Sequence, residues 1–294
     1  MSRPSPRKLY SLIALMVVLW TLNFVIGKMA LREFPALLAA GLRASLAGLL
    51  ILPVYLATGF RQDRVRWTRA DLPVLLFLGL VGVGLNQVFF LLGLERTSVA
   101  HAAFLIALTP LMVLLLSAIA GHERLSATRL GGMGVAAAGA VLLQSRPGRG
   151  GEATLLGDLF ILLASVTFAL FTVVGKRATA NHGPITINTF AYVGGGLLLA
   201  PVTIWESSRF AFAHVSVAGW ASLFYMALFP SVVCYLIFYY ALTWLPASRV
   251  AAFTYLQPPL ATVLAVVFLG DPVTRSLAAG GALVLSGVWL AERG

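Results

Sequence analysis

Polar side chains stand inside long apolar stretches of this sequence, where their chemistry is to donate and accept hydrogen bonds. They are two asparagines, two glutamines, a histidine and a threonine: Asn23, Asn86, Gln87, His101, Thr254 and Gln257. A polar side chain removed from water destabilises the fold unless it finds a new partner. Each is therefore expected either to bind a polar solute or to hydrogen-bond a neighbouring helix, and the sequence leaves both open.

Aromatic residues recur at helical spacing beside these polar positions. Ser231, Tyr235 and Tyr239 follow one another at intervals of four, which places their side chains on one face of a helix. A stripe of this kind belongs either to a packed core or to the apolar wall of a ligand cavity. The aromatic residues expected in such a wall are Trp20, Phe168, Phe171, Tyr235 and Tyr239.

Two basic side chains also lie within apolar stretches. His101 is the only histidine so placed, and it is expected either beside a solute pathway or in a structural hydrogen bond. Arg43 lies deeper, with no acidic residue in the same stretch. It is expected to bind backbone carbonyl groups or a substrate carboxylate, since a guanidinium group matches both.

The composition decides what kind of element carries these residues. Of the 294 residues, 60% are hydrophobic and 11% are charged, and the mean hydropathy is +0.93. A soluble domain carries about 25% charged residues because its surface faces water. A soluble enzyme, a nucleic-acid-binding protein and a disordered chain are thereby excluded. We expect an all-α integral membrane protein.

Ten apolar runs have the length of a membrane-spanning helix, about 17 to 25 residues. The basic start, Arg3 to Lys8, precedes an apolar run too long for a signal peptide, so this run is interpreted as the first span. The ten predicted spans are 10–29, 35–58, 71–94, 98–120, 127–144, 155–176, 184–205, 216–243, 247–269 and 275–291.

The distribution of Lys and Arg predicts the orientation of these spans. With the N-terminus in the cytoplasm, 13 of the 21 basic residues lie on the cytoplasmic side, 7 lie outside and Arg43 lies within a span. Loop 59–70 alone contributes four arginines. Because cytoplasmic loops of membrane proteins are enriched in Lys and Arg, both termini are expected in the cytoplasm of a multi-pass inner (plasma) membrane protein.

The sequence repeats itself at a shift of 148 residues. Gly27-Lys28 then falls on Gly175-Lys176, Pro110 on Pro258 and Gly139 on Gly287. Residues 1–146 and 147–294 are accordingly expected to form two repeats of five helices each, with a hinge at 145–154. Since five is odd, the second repeat is expected to be inverted in the membrane, an arrangement that serves alternating access.

Two prolines are expected to interrupt helices in corresponding spans of the repeats. Pro110 and Pro258 each lack an amide hydrogen and clash with the carbonyl four residues earlier, which frees backbone near Ile106 and Thr254. Gly27 and Gly175 are expected to act as hinges. Small residues on spans 5 and 10 are expected to serve internal packing rather than a dimer contact, so a monomer is expected.

The acidic residues and the sequence motifs limit the chemistry further. All ten Asp and Glu lie between the spans or near their ends. Proton-driven transport of cations needs a carboxylate within the membrane. If the protein is a transporter, its substrate is therefore expected to be neutral or zwitterionic. No metalloprotease, phosphate-loop or nucleophile-elbow motif is found. We expect no catalytic residues, no metal site, no cofactor and no nucleic-acid partner.

Three segments resemble the signature stretches of a known family. They are Leu19-Trp20-Thr21-Leu22-Asn23-Phe24-Val25-Ile26-Gly27-Lys28, Thr109-Pro110-Leu111 followed by Gly121-His122-Glu123-Arg124-Leu125, and Leu256-Gln257-Pro258 followed by Leu269-Gly270-Asp271. The resemblance is to the drug/metabolite transporter superfamily of EamA type, and within it to YddG-type aromatic amino-acid exporters. Asp271 stands where that family usually has Glu.

The resemblance implies export of small neutral metabolites, with aromatic and other apolar amino acids favoured, through a central cavity between the repeats. The expected partners are this small-molecule substrate and the lipid bilayer. Two alternatives remain at this point. One is an antiporter of phosphorylated metabolites or nucleotide sugars, which would need several basic groups at membrane depth. The other is an intramembrane enzyme that modifies lipids, which would need catalytic residues.

Overall fold

The computed structural model describes residues 4–59, 63, 67–120, 126–144, 154–271 and 273–293, and the predicted hinge 145–154 lies outside these residues except for Thr154. The described chain folds into ten helical segments. They are α1 (Pro6–Ala30), α2 (Ala36–Thr58), α3 (Arg69–Arg96), α4 (Val99–Ile119), α5 (Ala127–Gln144), α6 (Leu155–Ala178), α7 (Pro184–Ser207), α8 (Val217–Trp244), α9 (Ala247–Leu269) and α10 (Arg275–Arg293).

Eight of these helices, α1 to α4 and α6 to α9, are long and apolar enough to cross a membrane. α5 and α10 do not reach the same combination of length and hydropathy within the described residues. The predicted spans differ from the observed helices by four residues or fewer at each end. An all-helical membrane fold is confirmed, while ten crossings remain a prediction.

Local sequence sets where the helices begin. The side chains of Ser5, Thr154 and Ser216 each accept a hydrogen bond from a backbone N–H in the first turn of α1, α6 and α8. Such caps satisfy amide groups that have no partner within the helix. α7 begins instead at Pro184, whose missing amide hydrogen costs nothing in a first turn.

The helices pack in a pattern that repeats between the two halves. α2 packs against α7 and α5 against α10, so each helix meets its own counterpart. α1 packs against α8 and α9, and α6 packs against the corresponding α3 and α4. If each helix of the first half is replaced by its counterpart in the second, α1 by α6 and so on, the same set of contacts results. This is the contact pattern of two repeats related by a two-fold axis.

Two lysines show the same relation in atomic detail. Lys28 Nζ donates to the carbonyl oxygens of Leu94 and Thr97, both at 2.9 Å. Lys176 Nζ donates to the carbonyl oxygens of Leu242 and Leu245, 148 residues further along each time. In each half the lysine at the end of the first helix therefore satisfies carbonyl groups at the end of the third, where a helix leaves its last carbonyls unpaired.

Irregular helical geometry is also shared by the two halves. A π-helical segment occupies Leu78–Leu85 in α3 and another occupies Ala227–Val233 in α8. The helix of α4 stops at Ile106 and restarts at Thr109, and α9 passes through one 3-10 turn at Phe253–Leu256. Pro110 and Pro258 lie in the first turns after these breaks, where the sequence places them.

Acidic side chains in two loops connect helices of different halves. The Glu33 carboxylate accepts hydrogen bonds from the Ser216 N–H and hydroxyl, both at 2.6 Å, and the two bonds hold the pKa of Glu33 below its usual value. Asp63 accepts from the Gly183 N–H at 2.7 Å and the Thr186 hydroxyl at 3.0 Å. The α1–α2 loop is thus attached to the start of α8, and the α2–α3 loop to the start of α7.

α5 and α10 approach each other through glycines. A methyl group on Gly139 would stand 2.6 Å from Val284 N, and one on Gly287 would stand 2.6 Å from the carbonyl oxygen of Gly132. Close approach through small residues is typical of membrane helices. Three other small residues of α10 at four-residue spacing, Ala278, Ala282 and Ser286, are exposed and take no part in this contact.

We predict that Gly139→Ala and Gly287→Ala each destabilise the protein by about 1–3 kcal/mol, because the added methyl group must push apart two backbones. Gly131→Ala is the matched control on α5, since its methyl group would meet no atom within 4 Å. Thermal unfolding in detergent measures the difference. Equal melting temperatures for Gly139→Ala and Gly131→Ala would show that α5 and α10 are not in contact.

Candidate functional site

A cavity lies at the middle of the helices, and residues of both halves line it. Seven helices contribute to it, namely α1, α2, α3, α4, α6, α8 and α9. Its lining residues are Trp20, Asn23, Phe24, Arg43, Asn86, Gln87, Phe90, Ile106, Thr109, Phe168, Tyr235, Thr254 and Gln257.

The breaks in α4 and α9 border this cavity on two sides. Ile106 and Thr109 flank the break in α4, and Thr254 and Gln257 lie in and after the 3-10 turn of α9. Non-helical backbone at membrane depth is tolerated where it is buried in protein or lines a wet cavity. The interruptions predicted from Pro110 and Pro258 are therefore present, and the residues beside them reach the cavity.

The π-helical segment of α8 supplies polar contacts to other helices. Its Pro230 carbonyl oxygen accepts a hydrogen bond from Trp20 Nε1 at 3.1 Å, and its Ser231 hydroxyl accepts one from Arg43 Nε at 2.9 Å. On the far side, Asn188 Nδ2 of α7 lies 3.4 Å from the carbonyl oxygens of Ser231 and Val232. A π segment departs from the usual backbone pairing, and here its groups orient two cavity side chains.

Aromatic rings form much of the cavity wall. Trp20 meets Phe168 and Tyr235 edge-on, with ring centroids 5.8 and 5.7 Å apart. Phe24 and Phe90 make a second edge-on pair at 5.5 Å. Such pairs are a favoured geometry for aromatic side chains and hold the wall in place.

Several polar atoms of the lining carry no partner among the described residues. Asn86 is satisfied, because its Nδ2 donates to the Ala164 carbonyl oxygen at 2.8 Å. By contrast, four buried atoms have no hydrogen bond: Asn23 Oδ1, Arg43 Nη1, Gln87 Oε1 and Thr109 Oγ1. Because buried polar atoms nearly always find a partner, such a group suggests a bound solute or water.

Most of the residues predicted for the site surround this cavity. Those that line it are Trp20, Asn23, Asn86, Gln87, Phe168, Tyr235, Thr254 and Gln257. Their part in binding a substrate stays a prediction, since no ligand is bound. His101, Phe171 and Tyr239 lie elsewhere.

His101 pairs with an acidic residue instead of lining the cavity. Its Nδ1 lies 3.3 Å from Asp158 Oδ2, and Asp158 is 2% exposed. The hydroxyl of Thr97 donates to the other oxygen of the same carboxylate. One buried polar cluster therefore holds the α3–α4 loop, α4 and α6 together. In it His101 makes a structural hydrogen bond, one of the two roles expected for it. The sequence placed Asp158 near a helix end and could not show its partner.

Phe171 and Tyr239 are fully buried in helix packing. Phe171 lies against Gly82 of α3, where a methyl group would overlap its ring, and it also contacts the ring of Tyr239. Tyr239 lies against Gly175, at 3.0 Å from the position of an added methyl group. Both side chains therefore fill contacts between neighbouring helices and do not line the cavity.

Gly27 and Gly175 do not break their helices, which continue to Ala30 and Ala178. A methyl group on Gly27 would stand 3.0 Å from Leu94 Cδ2. The two glycines allow close helix packing in this structure, and their role as hinges stays a prediction.

Sequence reasoning did not select four lining residues: Phe24, Phe90, Ile106 and Thr109. The repeat could have found Thr109, which corresponds to Gln257 at the shift of 148 residues. Helical spacing could have found Phe24, four residues after Trp20. Arg43, for which two roles were left open, lines the cavity and is 2% exposed.

Relatives of this chain carry transporter names. An uncharacterized transporter of Archaeoglobus fulgidus is 30% identical over 286 residues, covering 97% of this chain and 99% of that protein. A probable terminal-alkyne amino-acid exporter of Streptantibioticus cattleyicolor is 30% identical over 283 residues, covering 96% and 92%. The uncharacterized transporter YetK of Bacillus subtilis is 28% identical, covering 95% and 85%.

A solved crystal structure has the same fold, with a TM-score of 0.69 at 21% identity, over 98% of this chain and 97% of the other. The model of the EamA-like transporter family matches twice, at residues 7–145 and 155–292. The two matches account for both halves of the helical bundle. This chain therefore belongs to the EamA-like transporter family and is a multi-pass membrane transporter rather than an enzyme.

Proposed function

We propose that this transporter moves small neutral or zwitterionic metabolites, most readily aromatic and other apolar amino acids, by alternating access through the central cavity. The observation that carries the proposal is the cavity itself. It lies between the two halves, has aromatic walls and contains a few unpaired polar atoms. Ligand sites for small molecules have this composition of apolar walls and a few polar anchors.

The relatives support the choice of cargo. The Streptantibioticus cattleyicolor protein is named as an amino-acid exporter and aligns along nearly the whole of this chain. The proposed direction of transport, out of the cell, is inferred from the name of the same relative, which is an exporter. We extend both to this chain as part of the proposal.

Alternating access draws support from how the halves touch. Trp20 of α1 packs on Phe168 and Tyr235 in the middle, whereas loop contacts through Glu33 and Asp63 are hydrogen bonds at the helix ends. Contacts exposed to water exchange with solvent at little net cost. In our account the two loop contacts open and close in turn, and the contact of Trp20 with Phe168 and Tyr235 shifts as the two halves move.

The proposed arrangement in the cell completes this account. All ten helices cross the plasma membrane, in two inverted repeats of residues 1–146 and 147–294, with both termini in the cytoplasm. The Glu33 contact then lies outside and the Asp63 contact inside. The protein acts as a monomer, because the glycine face shared by α5 and α10 is used within the chain.

An antiporter of phosphorylated metabolites or nucleotide sugars is less well supported. Such cargo carries two or more negative charges and is bound by clusters of Lys and Arg. Among the residues that line the cavity, Arg43 alone is cationic.

We predict that Ile106→Trp lowers transport at least tenfold, because the indole ring fills part of the cavity beside the break in α4. Ile119→Trp is the matched control on the same helix, since Ile119 is 75% exposed and points away from the bundle. Purified protein in liposomes is tested for uptake of labelled amino acids, sugars and cationic drugs.

Both variants should keep the wild-type melting temperature within a few degrees and elute as wild type in size-exclusion chromatography. Full uptake by a folded Ile106→Trp protein would place the pathway elsewhere. Uptake of sugars or cations in preference to amino acids would contradict the proposed cargo.

The orientation is tested with two matched cysteines introduced after Cys234, which is buried, has been replaced. Ala70 is an exposed alanine in the 3-10 turn at the start of α3, and Ala213 is an exposed alanine in the 3-10 turn between α7 and α8. In intact cells, a membrane-impermeant maleimide should label Ala213→Cys but not Ala70→Cys. After the cells are opened, both should react.

The opposite pattern, with Ala70→Cys labelled in intact cells, would reverse the topology. Labelling of both sites in intact cells would mean that an odd number of helices between them does not cross the membrane.

A further inference from the structure

One cationic side chain points into the cavity without an anionic partner. Arg43 lies on α2, is 2% exposed and lines the cavity. Its Nε donates to the Ser231 hydroxyl at 2.9 Å, and its Nη1 has no hydrogen-bond partner. A guanidinium group can donate five hydrogen bonds, so this one keeps donor capacity for a ligand.

The surroundings of Arg43 contain no carboxylate in the part of the chain that the structure describes. The titratable side chains around it are Tyr192, Tyr225, Cys234 and Tyr235, which are ordinarily uncharged at neutral pH. A buried cation without a counter-ion is strongly unfavourable, and a carboxylate held in two parallel N–H···O bonds is its best-matched partner.

Three acceptor atoms complement this donor. Asn23 Oδ1, Gln87 Oε1 and Thr109 Oγ1 are buried, line the same cavity and have no partner among the described residues. An ammonium group offers three N–H donors and no acceptor, so it needs oxygen atoms of this kind. The cavity therefore holds one unpaired cation and several unpaired acceptors.

The four unpaired atoms of the cavity lining, on Asn23, Arg43, Gln87 and Thr109, all belong to the first half of the chain. At the shift of 148 residues, Asn23 corresponds to Phe171, Arg43 to Ala191 and Gln87 to Tyr235. The second half thus replaces a charge and two amides by a methyl group and two rings. The unpaired polar atoms of the lining therefore come from one repeat, while Phe168 and Tyr235 of the other repeat add to the aromatic wall.

We propose that Arg43 binds the α-carboxylate of a zwitterionic amino acid and that the side-chain oxygens of Asn23 and Gln87 receive its α-ammonium group. The side chain of the amino acid then lies against Trp20 and Phe168. One guanidinium group balances one carboxylate, whereas a phosphate monoester would leave a negative charge uncompensated. This inference rests on the proposed function, because it names the groups that recognise the proposed cargo.

The test is equilibrium binding to the full chain in lipid nanodiscs, measured by isothermal titration calorimetry. The probes share one ring and differ in charged groups: phenylalanine, its methyl ester, phenethylamine, 3-phenylpropionate and phenyl phosphate. Wild type should bind phenylalanine at least tenfold more tightly than phenethylamine or the ester, which lack the carboxylate.

Two substitutions isolate the contribution of Arg43. Arg43→Gln should weaken phenylalanine binding at least tenfold and leave phenethylamine binding unchanged or stronger, which also shows that the variant is folded. The affinity of Arg43→Lys for phenylalanine should fall between those of wild type and Arg43→Gln, because a lysine keeps the charge but loses the paired N–H geometry. Arg7→Gln is the matched control, since Arg7 is exposed at the start of α1 and its replacement removes the same charge away from the cavity, so the preference for phenylalanine should persist.

Three results would overturn the assignment while leaving the transporter function intact. The first is equal wild-type affinity for phenylalanine and phenethylamine. The second is an undiminished preference for phenylalanine in Arg43→Gln. The third is tighter binding of phenyl phosphate than of 3-phenylpropionate by tenfold or more. If wild type binds none of the probes and liposomes take up no amino acid, the proposed cargo itself is wrong, and the inference fails with it.

Discussion

Every polar group at membrane depth must find its partner inside the protein, and this constraint shapes the whole molecule. In hydrocarbon no water replaces a lost hydrogen bond, so regular helices are the default and each irregularity needs a local solution. Lys28 and Lys176 provide such a solution at two helix ends, where they bind the last carbonyl groups of neighbouring helices. The π segment of α8 provides another, because Trp20 and Asn188 bind its carbonyl groups. Four of the buried polar atoms left without a partner, on Asn23, Arg43, Gln87 and Thr109, belong to residues that line the cavity between the halves.

The two repeats share a backbone plan but differ in chemistry. The π segments and the breaks after Ile106 and near Thr254 recur at the same shift, as do the lysine contacts and the glycines that join α5 to α10. The side chains at the cavity do not recur. Asn23, Arg43 and Gln87 in one half correspond to apolar or aromatic residues in the other. In the proposed mechanism, the shared backbone plan lets the two halves move against each other, and the different side chains let one cavity hold both the charged and the apolar part of a small molecule.

Much of this fold could be predicted from sequence because the signals are local or repeated. Apolar run length predicts the helices, and the shift of 148 residues aligns Pro110 with Pro258 at the two breaks. The site was predicted in part, since polarity at membrane depth indicates a need for a partner but not which partner. His101 finds Asp158, a residue 57 positions away, instead of the cavity. Phe171 and Tyr239 share a helix face with residues that line the cavity. They nevertheless pack against Gly82 and Gly175 of neighbouring helices, and residue spacing does not reveal these contacts.

The central claim is that the substrate sits between the halves, with its charged end at Arg43 and its ring against Trp20 and Phe168. The most direct measurement is X-ray diffraction at the bromine edge from crystals of the protein grown with 4-bromophenylalanine. The account predicts one strong anomalous peak inside the cavity, near Phe168 and away from Arg43, with density for the carboxylate at the guanidinium group. A bromine peak on the outer surface of the bundle, or a cavity that stays empty while the amino acid is transported, would contradict it.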